Sequence, residues 1–126
     1  MSFIHTAAHA LLPAALYAAG AAWAQTPTTP PGFVASPEVY KVIAENDKYR
    51  VIEVVWKAGQ KDQPHSHPDS SVYYVTNCRL RSEAAGSAPQ EFSRLAGGAY
   101  VQRPIASHTI ENIGSTDCRL IMFEPK

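Results

Sequence analysis

The sequence has no net charge and contains only two cysteines. Eleven Lys and Arg residues balance eleven Asp and Glu residues. A neutral chain without a basic stripe lacks the electrostatic footprint of a nucleic-acid-binding protein, and no polybasic patch is present for an anionic membrane surface. We therefore expect no nucleic-acid partner and no stable membrane insertion of the mature chain. Internal repeats are also absent, and no stretch after residue 32 has a convincing helical period, which argues against an all-helical or solenoid domain.

Basic residues are missing from the first residues of the chain as well, although the N-terminus otherwise reads as an export signal. Residues 7–24 are nearly all Ala, Leu, Tyr and Gly, and they end in Ala22-Trp23-Ala24, a small-x-small cleavage pattern. We expect a signal peptide over residues 1–24 and a periplasmic or secreted mature protein. An uncleaved membrane anchor is the main alternative, which Pro13 and the richness in alanine weaken. A misassigned start codon is a third interpretation.

The remainder divides into a short linker and one β domain. Residues 25–36 are rich in Pro and Thr and cannot pair inside a sheet, so we interpret them as a linker. Residues 37–126 contain short runs of Val, Ile, Tyr and Thr with turn residues at roughly ten-residue spacing, a pattern typical of an all-β sandwich or barrel. The predicted strands cover residues 39–44, 49–57, 71–76, 78–82, 91–95, 99–103, 107–113 and 118–123.

Three of the five histidines follow the predicted linker, and their spacing indicates a site. His65 and His67 are two residues apart, so an extended strand directs both imidazoles to one face. A third imidazole, from His108 on a distant strand, would complete most of a metal site. Two plainer interpretations remain open. The His-Ser-His segment lies near two prolines and could be a solvated turn, and His108 could be a barrel histidine bonded to a backbone carbonyl.

The histidines lie in two motifs about forty residues apart. In the first, a glycine is followed by five residues and then by His-Ser-His. In the second, a glycine is followed by five residues and a proline, and a histidine is followed by three residues and an asparagine. The residues that define the two motifs are Gly59, His65 and His67 in the first, and Gly98, Pro104, His108 and Asn112 in the second.

In both motifs the chain resembles the cupins, over about residues 37–126. The resemblance implies a cupin-like double-stranded antiparallel β-barrel of the jelly-roll type, with a metal ion held inside by His65, His67 and His108. The glutamate of the first cupin motif is absent, since its position falls on Ser71 or Val72. Three neutral imidazoles would leave a divalent ion its full charge and more positions open to water or substrate.

The resemblance implies a small metal-binding protein that acts on a small organic acid or a diketone-like substrate. Imidazole ligands suit several first-row metals, so iron, manganese, nickel and zinc all remain candidates. The chemistry could be that of a dioxygenase, and thus of an oxidoreductase, or of a lyase or hydrolase. A non-catalytic barrel that binds or senses a small ligand is the alternative, so whether the chain is an enzyme stays open. We expect a homodimer, because cupins often pair.

Two further residues are candidates for catalysis. Gln63 lies two residues before His65 and shares its predicted face, so it could bond a metal-bound water or lie at the rim. Either Tyr73 or Tyr74 must face inward, and we take Tyr73 as the candidate that bonds a substrate oxygen or acts as an acid. Plain packing is the other interpretation of an inward tyrosine.

The cupin order of strands also implies a disulfide between Cys78 and Cys118. In that order the strand of the first motif pairs antiparallel with the final strand, and the two cysteines then lie at neighbouring strand ends. An even pair of cysteines in an exported protein is more often bridged than free. The bond would close a loop of about forty residues.

Overall fold

The computed structural model describes residues 29–126. The predicted signal peptide over residues 1–24 and the first part of the linker, residues 25–28, lie outside the described residues. One short helix and nine strands follow in chain order. Their bounds are α1 Gly32–Ala35, β1 Tyr40–Glu45, β2 Tyr49–Trp56, β3 His65–His67, β4 Ser70–Tyr74, β5 Cys78–Ala84, β6 Gln90–Arg94, β7 Ala99–Gln102, β8 Ile105–Asn112 and β9 Cys118–Pro125.

The strands form two antiparallel sheets, which confirms the predicted all-β, double-stranded architecture. One sheet has the order β1-β2-β9-β4-β7, and the other has the order β3-β8-β5-β6. Within residues 29–126, no hydrogen-bonded ladder joins the two sheets into a closed barrel. The first sheet ends in β7 and the second in β6, so each has an unpaired edge strand there.

Alternation of side chains builds the core between the sheets. In β2, Ile52, Val54 and Trp56 are buried, whereas the residues between them are only partly buried. Leu120 and Met122 of β9 continue the same apolar layer. Because successive side chains of a strand point to opposite faces, this period of two gives each sheet one buried face.

The chain crosses from one sheet to the other between β4 and β5, and a disulfide lies beside the crossing. Only three residues separate these strands, yet β4 pairs with β9 whereas β5 pairs with β6 and β8. Cys78 begins β5, Cys118 begins β9, and the two are bonded, with their Cα atoms 5.1 Å apart. The predicted disulfide is therefore confirmed, and it links the two sheets covalently.

The described part of the predicted linker contacts the sheets directly. The backbone N–H of Ser66 donates to the carbonyl of Pro30 over 2.9 Å, and the Ser66 hydroxyl donates to the carbonyl of Thr29 over 2.8 Å. These contacts cover the outer side of β3, whose three residues are all buried. The predicted domain boundary at residue 37 stays a prediction. In the part of the chain that the structure describes, no helix is long and apolar enough to cross a membrane.

Candidate metal centre

The three histidines of the two motifs meet in the interior. His65 and His67 lie on β3, and His65 stands opposite His108 in the register of the neighbouring strand β8. One potential ligand atom from each residue lies within 4.8 Å of the other two. The three residues are 0 %, 5 % and 8 % exposed, respectively, so the cluster is shielded from bulk water. This placement agrees with the expectation that alternation directs both β3 imidazoles to one face.

In each ring the Nδ1 atom already has a neighbour that can fix the ring's orientation. Nδ1 of His65 donates to the carbonyl of Gln63 over 2.8 Å, and Nδ1 of His67 donates to Oε1 of Glu124 over 2.6 Å. Nδ1 of His108 lies 3.4 Å from the Ser82 hydroxyl, a longer and weaker contact. In His65 and His67 the Nδ1 proton is engaged, so Nε2 is left to carry a lone pair, and partners of this kind are typical behind metal-bound histidines.

Glu124 is a buried carboxylate that was not among the predicted site residues. It is 2 % exposed and continues the buried row of β9 after Cys118, Leu120 and Met122. The predicted strand ended at residue 123, two residues before β9 ends at Pro125 and one residue before Glu124. Extending the period of two by one more step would have placed Glu124 on the interior face. The motif glutamate is absent, yet a carboxylate still stands against His67, so the cluster is not surrounded by neutral groups alone.

A second buried carboxylate, Asp62, lies beside His65. Its Oδ2 accepts hydrogen bonds from the Tyr40 hydroxyl and from Nε1 of Trp56, both at 2.9 Å. Its Oδ1 accepts the backbone N–H of Ile110 over 2.7 Å. Burial, and then the Asp62 carboxylate, raise the pKa of the Tyr40 phenol well above its ordinary value, so the phenol keeps its proton.

Two ring nitrogens in the cluster lack a committed hydrogen-bond donor, which fits a bound cation. Nε2 of His108 is buried and has no hydrogen-bond partner among residues 29–126. Nε2 of His65 lies 2.9 Å from the Tyr40 hydroxyl, but that hydroxyl has a single proton and Asp62 also accepts it. A cation on the Nε2 lone pairs would satisfy His65 and His108 and would leave the Tyr40 proton to Asp62.

The protonation states also fit ligation, since a metal ligand must offer a lone pair. Burial, followed by the charges of His65 and His67, lowers the pKa of His108 to about 3. Burial also lowers the pKa of His65, although the Asp62 carboxylate opposes this shift. Both rings are therefore neutral at neutral pH.

A cavity of about 310 Å³ opens next to two of the histidines, His67 and His108. Its walls come from both sheets and are mostly apolar, with Val72, Leu80 and Met122 among the lining residues. This volume is at the lower end of the range for ligand pockets in proteins, which run from roughly 300 to 1,000 Å³. The cavity therefore suits a small molecule that reaches the histidine cluster from one side.

The structure does not bring the two residues predicted for catalysis into this cavity. Tyr73 is 48 % exposed on the outer face of β4, and Tyr74 is the inward tyrosine that lines the cavity. The expectation of an inward Tyr73 is corrected accordingly: with two adjacent tyrosines, hydrophobicity does not determine which one faces the core. The Gln63 side chain is exposed, and the residue reaches the cluster only through its backbone carbonyl, which holds His65.

Solved structures of cupin proteins share this architecture. A cupin domain from Bordetella pertussis Tohama I is 21 % identical, with a TM-score of 0.65, and the match covers 70 % of this chain and 92 % of that one. An RmlC-like cupin family protein with a double-stranded β-helix fold from Methanocaldococcus jannaschii is 13 % identical, with a TM-score of 0.54, and the match covers 69 % and 78 % of the two chains.

A third similar structure is an uncharacterised conserved protein with a double-stranded β-helix domain from Klebsiella pneumoniae. It is 16 % identical, with a TM-score of 0.55, and the match covers 69 % of this chain and 75 % of that one. No protein-family model and no curated protein matches the sequence. The topology and these structural matches lead to one conclusion: the chain has the cupin fold, and its three buried histidines lie close enough together to hold a metal ion.

Proposed function

We propose that this protein is a metal-dependent cupin in which His65, His67 and His108 hold one divalent ion. The observation that carries the proposal is the buried Nε2 atom of His108, which has no hydrogen-bond partner in the described part of the chain. A buried polar atom without a partner costs about 1–3 kcal/mol, so a fold that keeps one beside two further imidazoles favours a ligand there. Iron, manganese, nickel and zinc all suit three imidazoles.

The surrounding residues would hold the ligands in place. The Gln63 carbonyl and the Glu124 carboxylate would each fix the tautomer and orientation of a ring, since each accepts a hydrogen bond from an Nδ1–H group. The Tyr40 hydroxyl can donate to Asp62 and so leave the His65 lone pair free. The apolar cavity wall limits access of water to the cluster.

The proposed activity is conversion of a small organic acid or a diketone-like molecule by dioxygenase, lyase or hydrolase chemistry. When bound, the ion would act as a Lewis acid that polarises a carbonyl or carboxylate oxygen of the substrate. The small size of the cavity supports a compact substrate. Tyr74, rather than Tyr73, is the tyrosine positioned to contact it.

A non-catalytic barrel that binds or senses a small ligand is the second candidate function. One observation favours it: neither predicted catalytic residue, Gln63 or Tyr73, has its side chain in the cavity. Turnover separates the two candidates. A metal-loaded protein that binds small acids but converts none of them, with or without oxygen, would support the binding function.

Metal content tests the proposed site. The full chain, loaded with each candidate metal and desalted, should retain about one equivalent by elemental mass spectrometry. His65→Ala and His108→Ala should each lose it. Gln63→Ala is the matched control, because it removes an exposed side chain and leaves the carbonyl that holds His65 in place. A parent protein that retains none of the four metals would refute the site.

Export and assembly are part of the same proposal. The disulfide between Cys78 and Cys118 supports an oxidising compartment, since such bonds are rare in the cytosol. Cleavage after Ala24 should appear as an N-terminal Gln25 in protein recovered from the periplasm or medium. The predicted homodimer should appear as twice the mature mass in light scattering, and a single monomer peak would refute it.

A further inference from the structure

One charged side chain lining the cavity has no ionic partner. Apart from the histidines, two residues with ionisable charges line the cavity, Glu91 and Arg94. Glu91 forms ion pairs with Arg79 and Arg81. Arg94 forms no ion pair within residues 29–126, and the one hydrogen bond of its guanidinium runs from Nη1 to the Ser93 carbonyl over 3.0 Å.

The surroundings of Arg94 hold the guanidinium in a fixed orientation. It lies 4.5 Å from the ring centroid of Phe92 on β6 and 4.6 Å from that of Tyr100 on β7. Arginine stacks its planar face on aromatic rings and keeps its N–H donors at the edge of the plane. An arginine has five such donors, and about four remain after the bond to Ser93. The side chain is only partly exposed, so part of its hydration is already lost.

The other arginines show that this arrangement is particular to Arg94. Four of them bind carboxylates across the sheet surfaces: Arg50, Arg79, Arg81 and Arg119. The sixth, Arg103, also forms no ion pair in the described structure, but it is exposed and does not line the cavity. Among the described residues, Arg94 is therefore the arginine that both lines the cavity and has guanidinium N–H groups not bound to a carboxylate.

We propose that Arg94 is the specificity-determining residue of the cavity and binds the carboxylate of a small monoanionic acid whose apolar body lies against the cavity wall. The inference deepens the proposed function and rests on it for the role of the histidines. A guanidinium edge matches a carboxylate in shape, because two parallel N–H donors meet two oxygens. Leu80, Phe92 and Met122 supply the apolar contact.

In the metal-free protein, the charges around the cavity favour a monocarboxylate over a phosphate ester. A single guanidinium neutralises a single charge, whereas a phosphate ester brings close to two at neutral pH. The buried carboxylates of Asp62 and Glu124, which lie behind the cavity wall, would repel the second charge. The competing explanation is that Arg94 stacks on the two aromatic rings only to hold β6 against β7. It predicts equal binding affinity for an acid and its amide.

Calorimetric titration of the full chain tests this inference. The probes are 3-phenylpropionate, its neutral counterpart 3-phenylpropanamide, and phenyl phosphate. Metal-free wild-type protein should bind the carboxylate at least about tenfold more tightly than the amide and than the phosphate ester, since hydrogen bonds to charged groups are worth that much. Arg94→Gln should weaken carboxylate binding about ten- to hundredfold and leave amide binding unchanged.

Arg103→Gln is the matched control, because it removes the same charge from an arginine outside the cavity and should bind as wild type. Retained amide binding shows that the Arg94→Gln cavity is intact. If that variant does not fold, Arg94→Lys carries the test: it keeps the charge, loses the planar fork and should weaken carboxylate binding several-fold. Unchanged carboxylate affinity, equal affinity for acid and amide, or no saturable carboxylate binding would each overturn the inference.

The titrations are run with metal-free protein and with metal-loaded protein. Arg94-dependent carboxylate binding by a chain that takes up no metal would refute the proposed metal centre and uphold the inference. A chain that takes up one metal ion but binds the acid and the amide with equal affinity would uphold the proposed metal centre and refute the role of Arg94.

Discussion

Replacing Glu124 by glutamine is the sharpest test of how the centre is built. The change removes one charge and keeps nearly the same shape, so the amide oxygen can still accept the Nδ1 proton of His67 across the 2.6 Å contact. A charged hydrogen bond contributes about 1.5–3 kcal/mol and a neutral one about 0.5–1.5 kcal/mol, a difference of about 1–1.5 kcal/mol. Because the bond also exists without metal, that difference sets an upper bound of about five- to twelvefold on the loss of metal affinity through this bond alone.

Loss of the negative charge near a divalent ion adds to this effect, and substitutions behind metal-bound histidines cost about 10- to 100-fold in affinity. We therefore expect the dissociation constant for Zn²⁺ to rise by about 10- to 100-fold, measured by competition with a chromophoric chelator at neutral pH. Glu53→Gln is the control: it breaks a partly exposed ion pair with Arg119 on the outer face and should leave the affinity unchanged. Equal Zn²⁺ affinity in wild type and Glu124→Gln would refute the argument that this carboxylate supports His67.

Three further outcomes are expected. Because the pKa of His108 is about 3 in the folded state, the unfolded chain binds more protons below about pH 6.5. Metal-free protein should therefore lose about 2 kcal/mol of unfolding free energy between neutral pH and about pH 5. The His108→Asn variant should lose less. An unfolding free energy that rises on acidification would contradict this prediction. Replacing both Cys78 and Cys118 by serine should lower the free energy of unfolding by about 4 kcal/mol, the chain-entropy value for a loop of 40 residues. Urea unfolding measures this change, and equal midpoints for wild type and the variant would contradict the prediction. Tyr73→Phe should leave the metal affinity unchanged and should change the free energy of unfolding by no more than about 0.5 kcal/mol. Loss of metal binding in this variant would show that the outer face of β4 contributes to the site.

The strands and the three histidines were predictable because local patterns determine them. Runs rich in Val, Ile, Tyr and Thr between turn residues mark strands such as β2, and the spacing of the two motifs is enough to select His65, His67 and His108. The choice between Tyr73 and Tyr74 was not predictable in the same way. A shift of one residue exchanges the two faces of a strand, and two adjacent tyrosines give no contrast in hydrophobicity to set that choice.

The residues that contact the histidines could not be predicted from local sequence patterns, because pairing between distant strands brings these residues next to the histidines. Asp62 comes before β3 in an irregular segment, yet it binds Tyr40 and Trp56 from the opposite sheet. Arg94 lies at the end of an edge strand, where nothing in the neighbouring sequence shows that it stacks on Tyr100. Glu124 alone had a local signal, the continued alternation of β9.

The position of β9 has a consequence for how this protein matures. This strand follows every other described strand in the sequence, yet it inserts between β2 and β4 in the middle of its sheet. Neither β2 nor β4 can gain that neighbour until β9 has emerged, so folding depends on distant pairings, which are slow to form. Glu124 and the second half of the disulfide arrive with β9. Until β9 pairs, His67 therefore lacks the Glu124 carboxylate, and the proposed metal centre would be complete only after the sheet has closed.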